Sequence, residues 1–510
     1  MNNSSLRLIV IMLVGGAIAL FVTMGLFTTD ANKIGGFFRY FAAVGVILAA
    51  IRPRGGILFL IICSGYLDML KRFTTLEQSV SQIDIASVLV FAPLLVGGIT
   101  LSTVLSWGRR GINKETKFEI KIFICCVIWT VLSLVPALSA SGLRSLGNVL
   151  NYFIYPFLLV SVPRLMRDST FIKQCVVVFV VSYVPVMALA IYEGNYGYVD
   201  ITMDYLLAGY SQEIRQLYDV RPGAISTLSG PSSLSIMMSL IAGYLLVPYT
   251  IDGKFAVFRK GLLLSLPLAY GFMVAAYYTF GRTGWVVGVI FLGLVALLHM
   301  KKFIIYVAGV STVVAAALFY LSAGYLIDNA VMHRIEKASR DVNTSDTTIQ
   351  ATTLGTFNGR LESMRQVVSD SDIWTPFGFK IAEKEVTSLP HPVHEMIGNL
   401  LVRFGYVPMC VMAVLGAFVT RKFLRLNASL PKGPLRNQFR IYVALALACF
   451  ATAIGHGQTM FVFPINLLWA LMFALAMGCY LCLKDQQLET AVSEANQDYA
   501  SELERAVPTR

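Results

Sequence analysis

Two histidines, a glutamate and a scatter of arginines carry most of the chemistry available to this chain of 510 residues. The stretch Leu389-Pro-His-Pro-Val-His-Glu-Met-Ile-Gly-Asn-Leu-Leu-Val-Arg-Phe-Gly-Tyr-Val-Pro408 starts as a polar, proline-bearing loop with His391, His394 and Glu395. It then passes into an apolar helix that carries Arg403. A helix start at His394 places its imidazole beside the positive end of the helix dipole, which favours the neutral ring. Neutral imidazole near pH 7 is the form a general base needs. Two other roles stay open: a cap for the helix end, or a metal ligand together with His391 and Glu395. A His-Glu-x-x-His zinc motif would require a histidine where the chain has Gly398.

The arginines suggest anion binding. Arg221 precedes Pro222-Gly-Ala-Ile-Ser-Thr-Leu-Ser-Gly-Pro231, a helix start with Ser229 as N-cap and Pro231 in the first turn. Arg282 lies in the tight turn Gly281-Arg-Thr-Gly-Trp285, and Arg360 opens a loop helix at Asn358-Gly-Arg-Leu-Glu-Ser-Met. Helix N-termini and guanidinium forks both suit phosphate oxygens. Each arginine also has a plain reading: Arg221 anchors a loop to headgroups, Arg282 snorkels, and Arg360 is one more solvated helix charge. Arg403, nine residues past His394, falls roughly 13 Å further along a continuous helix and so inside the apolar layer. Intramembrane charges are costly and mark candidate functional sites. Its expected partners are Asp68, Glu193 or an anionic ligand, and Arg39 poses the same question.

These residues must be positioned by membrane helices. The chain is 56% hydrophobic and 14% charged, far from the roughly 25% charged residues of a soluble domain. Apolar runs of about 20 residues recur along it, so the expected fold is all-α, a polytopic helical membrane protein with about 14 transmembrane helices. The expected spans are 6–27, 34–51, 55–70, 83–106, 118–138, 145–162, 172–192, 228–249, 262–280, 284–299, 303–327, 396–419, 440–462 and 464–483. The first run lacks an Ala-x-Ala-type cleavage site and is expected to stay as a span. The eight cysteines fall in or at the ends of apolar runs, so no disulfide framework is implied.

Loop charges set an orientation. One alternate set holds Arg52/Arg54, Arg109/Arg110/Lys114/Lys117, Arg164/Arg167, Lys254/Arg259/Lys260, Lys301/Lys302 and Arg421/Lys422/Arg425/Lys432/Arg436. The opposite short loops hold only Lys33, Lys71, Arg72, Arg144 and Arg282. By the positive-inside rule the first set is cytoplasmic, and both termini with it. The net charge of +12 is then a topology signal and implies no nucleic-acid partner. The resulting organisation is a bundle over 1–192, a first long outer loop at 193–227, further spans over 228–327, a large outer loop at 328–395, the last spans over 396–483 and a loosely ordered cytoplasmic tail at 484–510.

Four pieces together resemble the O-antigen ligase and polysaccharide polymerase (Wzy) superfamily. They are Arg221-Pro-Gly with its Ser/Pro helix start, Gly281-Arg-Thr-Gly-Trp285, Arg360 with the downstream Pro376-Phe-Gly378, and His394 to Gly405. The likeness covers about residues 220–420. Two positions depart from the family pattern, which usually has His-Asn where this chain has His394-Glu395, and glutamate where it has Arg403; they mark a divergent subgroup.

The resemblance implies a metal-independent glycosyltransferase of the bacterial inner membrane, with no cofactor and its active site facing the periplasm. His394 would take the proton from an acceptor sugar hydroxyl, while Arg221, Arg282 and Arg360 bind the diphosphate of an undecaprenyl-diphosphate-linked oligosaccharide. Arg403, His391 and Glu395 are candidate substrate contacts. The large periplasmic loop could gate the cavity. Implied partners are the lipid-linked donor, membrane lipid, a chain-length co-polymerase and a flippase. The expected activity is polymerisation of exopolysaccharide or O-antigen repeats. The alternatives are a ligase that transfers glycan to O-antigen acceptors or protein from the same donor, and a transporter or flippase, which should show repeat symmetry and polar groups near the bilayer midplane.

Overall fold

The computed structural model describes residues 33–73, 82–110, 114–141, 149–150, 152–208, 223–251, 262–299, 365, 369, 374–377, 396–450 and 462–506. Among them lie fourteen α-helices, one 3-10 turn and no strand. The first half contains α1 (Lys33–Ile51), α2 (Pro53–Phe73), α3 (Gln82–Arg110), α4 (Lys114–Ser141), the 3-10 turn Tyr155–Phe157, α5 (Leu158–Leu165), α6 (Ser169–Tyr196) and α7 (Asp200–Leu207). The second contains α8 (Pro231–Ile251), α9 (Leu262–Tyr278), α10 (Arg282–His299), α11 (Met396–Phe404), α12 (Tyr406–Ser429), α13 (Pro434–Phe450) and α14 (Ile465–Ala506). The expected spans 6–27 and 303–327 lie outside the described residues.

Five described helices are long and apolar enough to cross a membrane: α6 and α12 over their whole length, and the stretches Val88–Trp107, Glu115–Val135 and Ile465–Thr490 of α3, α4 and α14. Four shorter apolar helices accompany them, in α1, α8, α9 and α10. This set fits a multi-pass membrane protein. Neighbouring helices pack in a chain that runs α1–α3–α2–α6–α9–α8–α10–α13–α14 and closes through α5 back to α3. The apolar stretch of α14 is 94% buried, against 28% for that of α4 and 22% for α12. So α14 is the core helix, and α4 and α12 show lipid-compatible outer faces.

Three elements differ from the pattern of apolar runs. The run at 145–162 is broken by the 3-10 turn over Tyr155–Phe157, where Pro156 has no amide hydrogen to continue a helical ladder. The run at 396–419 is two helices, because Gly405 takes φ 82° between α11 and α12, a conformation that favours glycine. Finally, α14 does not end with its apolar stretch. It runs 42 residues, about 63 Å at 1.5 Å per residue, through the tail expected to be loosely ordered. No Pro or Gly interrupts 479–507, and its emerging turn is pinned by Lys484 to Glu115 at 2.6 Å and by Asp485 to Arg167 at 3.1 Å.

Those pins belong to one end of the bundle, where the described basic loops gather. Arg164 pairs with Glu119, which also accepts from Trp107 Nε1 at 3.1 Å, and Arg167 pairs with Glu115 at 2.8 Å. Arg54 approaches Asp168, whose carboxylate accepts from the Thr170 amide at 2.8 Å and caps α6. Lys422 lies 4.9 Å from the centre of the Phe118 ring. The far ends of α2, α6 and α9 and the starts of α8 and α10 form the opposite end, and that end positions the candidate site.

Candidate functional site

Among the candidate residues, Arg221, Arg360, His391, His394 and Glu395 lie outside the described residues. Arg282 is described in its backbone, as the first residue of α10, and Arg403 in full. The geometry is therefore that of the segments flanking the motifs.

The first junction gathers the chain on either side of the Arg221 and Arg282 motifs. Gly223 to Gly230 is an irregular, largely buried segment leading into α8. Irregular backbone cannot satisfy its own polar groups, so buried partners must do so. Glu193, near the end of α6, accepts from the amides of Ile225 (3.0 Å) and Ser226 (2.6 Å). Arg72, near the end of α2 and only 2% exposed, donates to the carbonyls of Ser226 and Leu228, both at 2.5 Å. Ser226 is held at φ 49°, and its hydroxyl donates to the Val186 carbonyl at 2.7 Å. Thr227 donates to the Gly65 carbonyl, and Tyr198 to the Gly223 carbonyl at 2.8 Å.

This segment lies directly against the Arg282 turn. The Ala224 amide donates to the Tyr278 carbonyl at 2.9 Å, and the Ser235 hydroxyl to the Gly281 carbonyl at 3.0 Å. A β-carbon on Gly223 would fall 2.4 Å from the Thr279 carbonyl oxygen. Two motifs some 60 residues apart in sequence thus share one wall. The helix start differs by one residue from the expected one: α8 begins at Pro231, so Gly230 rather than Ser229 precedes the first turn, and its carbonyl accepts from Leu234 at 3.2 Å.

The second junction joins the other two motifs. The carbonyls of Thr375 and Pro376 accept from the amides of Tyr406 (3.0 Å) and Val407 (3.2 Å). The first amides of a helix have no partner within it, and here the Trp374–Phe377 loop supplies partners to α12. The Gly405 break that starts α12 is thereby tied to the Pro-Phe-Gly piece of the large loop.

The break also relocates Arg403. It sits in the last turn of the nine-residue α11, ahead of the long apolar helix rather than within it. Its guanidinium donates to the Tyr152 hydroxyl at 3.1 Å and lies 5.8 Å from the centre of the same ring. The expected partners are engaged elsewhere: Asp68 with Lys71 at 3.5 Å, and Glu193 with the loop amides. Arg39 is buried in α1 at 4% exposure. Among the described residues, no group of three or more His, Cys, Asp or Glu is spaced to hold a metal ion.

Sequence reasoning passed over Arg72, and weighed Glu193 only as a partner for Arg403. The available signal was Lys71-Arg72, an adjacent pair of cations on the cation-poor side of the chain. No family model matches this chain, and no curated protein or solved structure is significantly similar to it.

Proposed function

We infer that the chain is an inner-membrane glycosyltransferase that polymerises lipid-linked saccharide repeats on the periplasmic side. The observation that supports this reading most is the pairing of motifs. The chain flanking Arg221 packs on the Arg282 turn, and the Pro376-Phe377 loop packs on the helix start that follows the His394–Gly405 stretch. The chain that follows Arg221 and the turn that precedes Arg282 share one wall, and guanidinium forks brought to it would suit the several oxygens of a diphosphate.

In the proposed step, the acceptor hydroxyl attacks the anomeric carbon of the donor sugar and its proton passes to His394. The bond from that carbon to the phosphate oxygen breaks, and prenyl diphosphate leaves as an anion stabilised by Arg221, Arg282 and Arg360. Arg403, which donates to Tyr152, stays a candidate substrate contact in this reading.

The test is a His394→Ala variant expressed in cells deleted for the native chain. A polymerase that uses His394 as base leaves lipid-linked single repeat units and no polymer, with the variant present in the membrane at normal level. Lipid-linked polymer of full length would make the protein a ligase, and unchanged polymer would remove His394 from the mechanism.

A further inference from the structure

The core helix of the bundle does not stop where the bundle stops. Packed among α5, α6, α8 and α13 over its apolar stretch, α14 continues past Lys484 to Ala506. The stretch 484–506 extends about 34 Å at 1.5 Å per residue. Leu488 and Val492 stand on it 66% and 52% exposed. Four residues apart, they share one face of the helix, and by register the same stripe continues through Ala495, Tyr499 and Leu503. A solvated tail has no use for apolar residues at that spacing, whereas a helix that packs on a partner needs them.

Charge and position single out the occupant. Between 485 and 504 the helix carries Asp485, Glu489, Glu494, Asp498, Glu502 and Glu504, with no lysine or arginine. Exposed Glu489 borders the stripe on one side, and register puts Asp498 and Glu502 on the other. A lipid surface does not fit: no Pro or Gly interrupts 479–507 to turn the helix onto a membrane, and anionic headgroups repel an acidic face. Nor does a second copy. The spanning stretch of α14 is 94% buried, so each copy keeps a layer of helices around it. At 8–10 Å per layer, two such axes leave their bundles about 24–30 Å apart. A paired stripe needs them about 8–10 Å apart at Leu488, one turn beyond Lys484. We propose that the projecting part of α14 is a docking surface for a basic amphipathic helix of another protein. Its apolar stripe would cover Leu488 and Val492, and its lysines or arginines would meet the acidic flanks. The surface lies on the side of the basic loops, the cytoplasmic one by the positive-inside rule, and is independent of the reaction performed at the opposite end.

The test uses the full chain in nanodiscs of zwitterionic phosphatidylcholine, with fluorescein-labelled synthetic peptides read by anisotropy. The probe is a helical peptide with a leucine stripe flanked by lysines. One control replaces lysine by glutamate, and another keeps the composition but scrambles the stripe. The probe should bind about tenfold or more tighter than either control. Leu488→Gln with Val492→Gln keeps the charge and should weaken binding about tenfold or more. Glu489→Lys with Asp498→Lys should weaken it about tenfold and bind the glutamate peptide instead. Equal binding of the scrambled peptide, or wild-type affinity in the Leu488→Gln, Val492→Gln chain, would reduce the surface to charge attraction and overturn the proposal. No binding of the probe would overturn it as well. So would paired chains in each nanodisc that separate in the Leu488→Gln, Val492→Gln variant, which would give the stripe to a second copy. Slower glutamate-specific proteolysis of the tail in phosphatidylglycerol nanodiscs than in phosphatidylcholine would give it to lipid, with the same consequence.

Discussion

The two ends of the bundle use charge in different ways. At the basic end charges meet charges: Arg164 with Glu119, Arg167 with Glu115 and Asp485, and Lys484 with Glu115. These pairs join α4, α5 with the turn that follows it, and α14. At the other end, beside the Lys71–Asp68 pair, Arg72 and Glu193 bind the backbone of an irregular segment, one through its carbonyls and the other through its amides. A helix end needs only to be held near its neighbour, whereas a buried loop needs a partner for every N–H and C=O. Charge pairs therefore mark scaffold, and charges committed to loop backbone mark a place where the chain is kept in one specific shape.

The strongest way to break this contrast is to delete each charge and then both of a pair. Arg72→Leu should lower stability by about 3–5 kcal/mol, because it leaves the Glu193 charge and two carbonyls buried without it. Arg164→Leu should cost about 2–3 kcal/mol, since Glu119 keeps its bond from Trp107. The double variants should then diverge. Glu119→Leu with Arg164→Leu should recover most of the loss, as apolar replacement of a buried pair often does. Glu193→Leu with Arg72→Leu should recover only the smaller part of the loss, that due to the attraction between the two charges, because the loop carbonyls and amides they held stay buried without partners. Unfolding of the purified protein by heat or denaturant, followed by tryptophan fluorescence, reads all of these. Recovery at both ends would mean that Arg72 and Glu193 are an ordinary ion pair.

A smaller effect is expected where the shared wall is tightest. Gly223→Ala places a methyl group 2.4 Å from the Thr279 carbonyl oxygen, and backbone on both sides leaves little room to yield. The expected cost is about 1–3 kcal/mol, read by the same unfolding measurement. Gly416, with open space around it, is the control: Gly416→Ala should be neutral or slightly stabilising in a helix.

Much of this fold was legible in hydropathy alone. The run at 34–51 is α1, that at 172–192 lies within α6, and that at 262–280 is α9 over Leu262–Tyr278, because an apolar helix needs a run of that kind and little else; of the three, α6 is long enough to cross a membrane. The breaks were not legible. Phe404-Gly-Tyr-Val-Pro408 sits inside an apolar run, and only the carbonyls of Thr375 and Pro376, offered by a distant loop, show why α12 starts afresh at Tyr406. The clamp was hidden for a related reason. Arg72's partners beyond Thr202 include backbone carbonyls some 150 residues away, and a carbonyl leaves no mark in the residue type. Arg403 shows the converse error: its charge was visible, but Tyr152 as partner depends on a helix break that hydropathy does not record. The tail, read as loose for want of apolar residues, is helical because it extends a helix already nucleated in the core, so it needs only propagation.

The smallest expected effects compare an exposed charge pair with the half-buried contact of Arg403. The Arg167 side chain is 40% exposed, and water and salt already screen its bonds to Glu115 and Asp485. Arg167→Gln should therefore cost about 0.5 kcal/mol, and less as salt is raised. Tyr152→Phe removes one hydrogen bond from the Arg403 guanidinium while keeping the ring under it, for a loss of about 0.5–1.5 kcal/mol. The two should separate by salt more than by size. The Arg167 effect should fade between low and high ionic strength, because its charges face solvent. The Tyr152 effect should persist, because a neutral hydroxyl carries no long-range charge to screen. If the Tyr152→Phe loss also faded with salt, its origin would be the exposure of Arg403 to solvent. The α11–α12 break would then hold the guanidinium at an open surface, and its contact with Tyr152 would be a consequence of that placement.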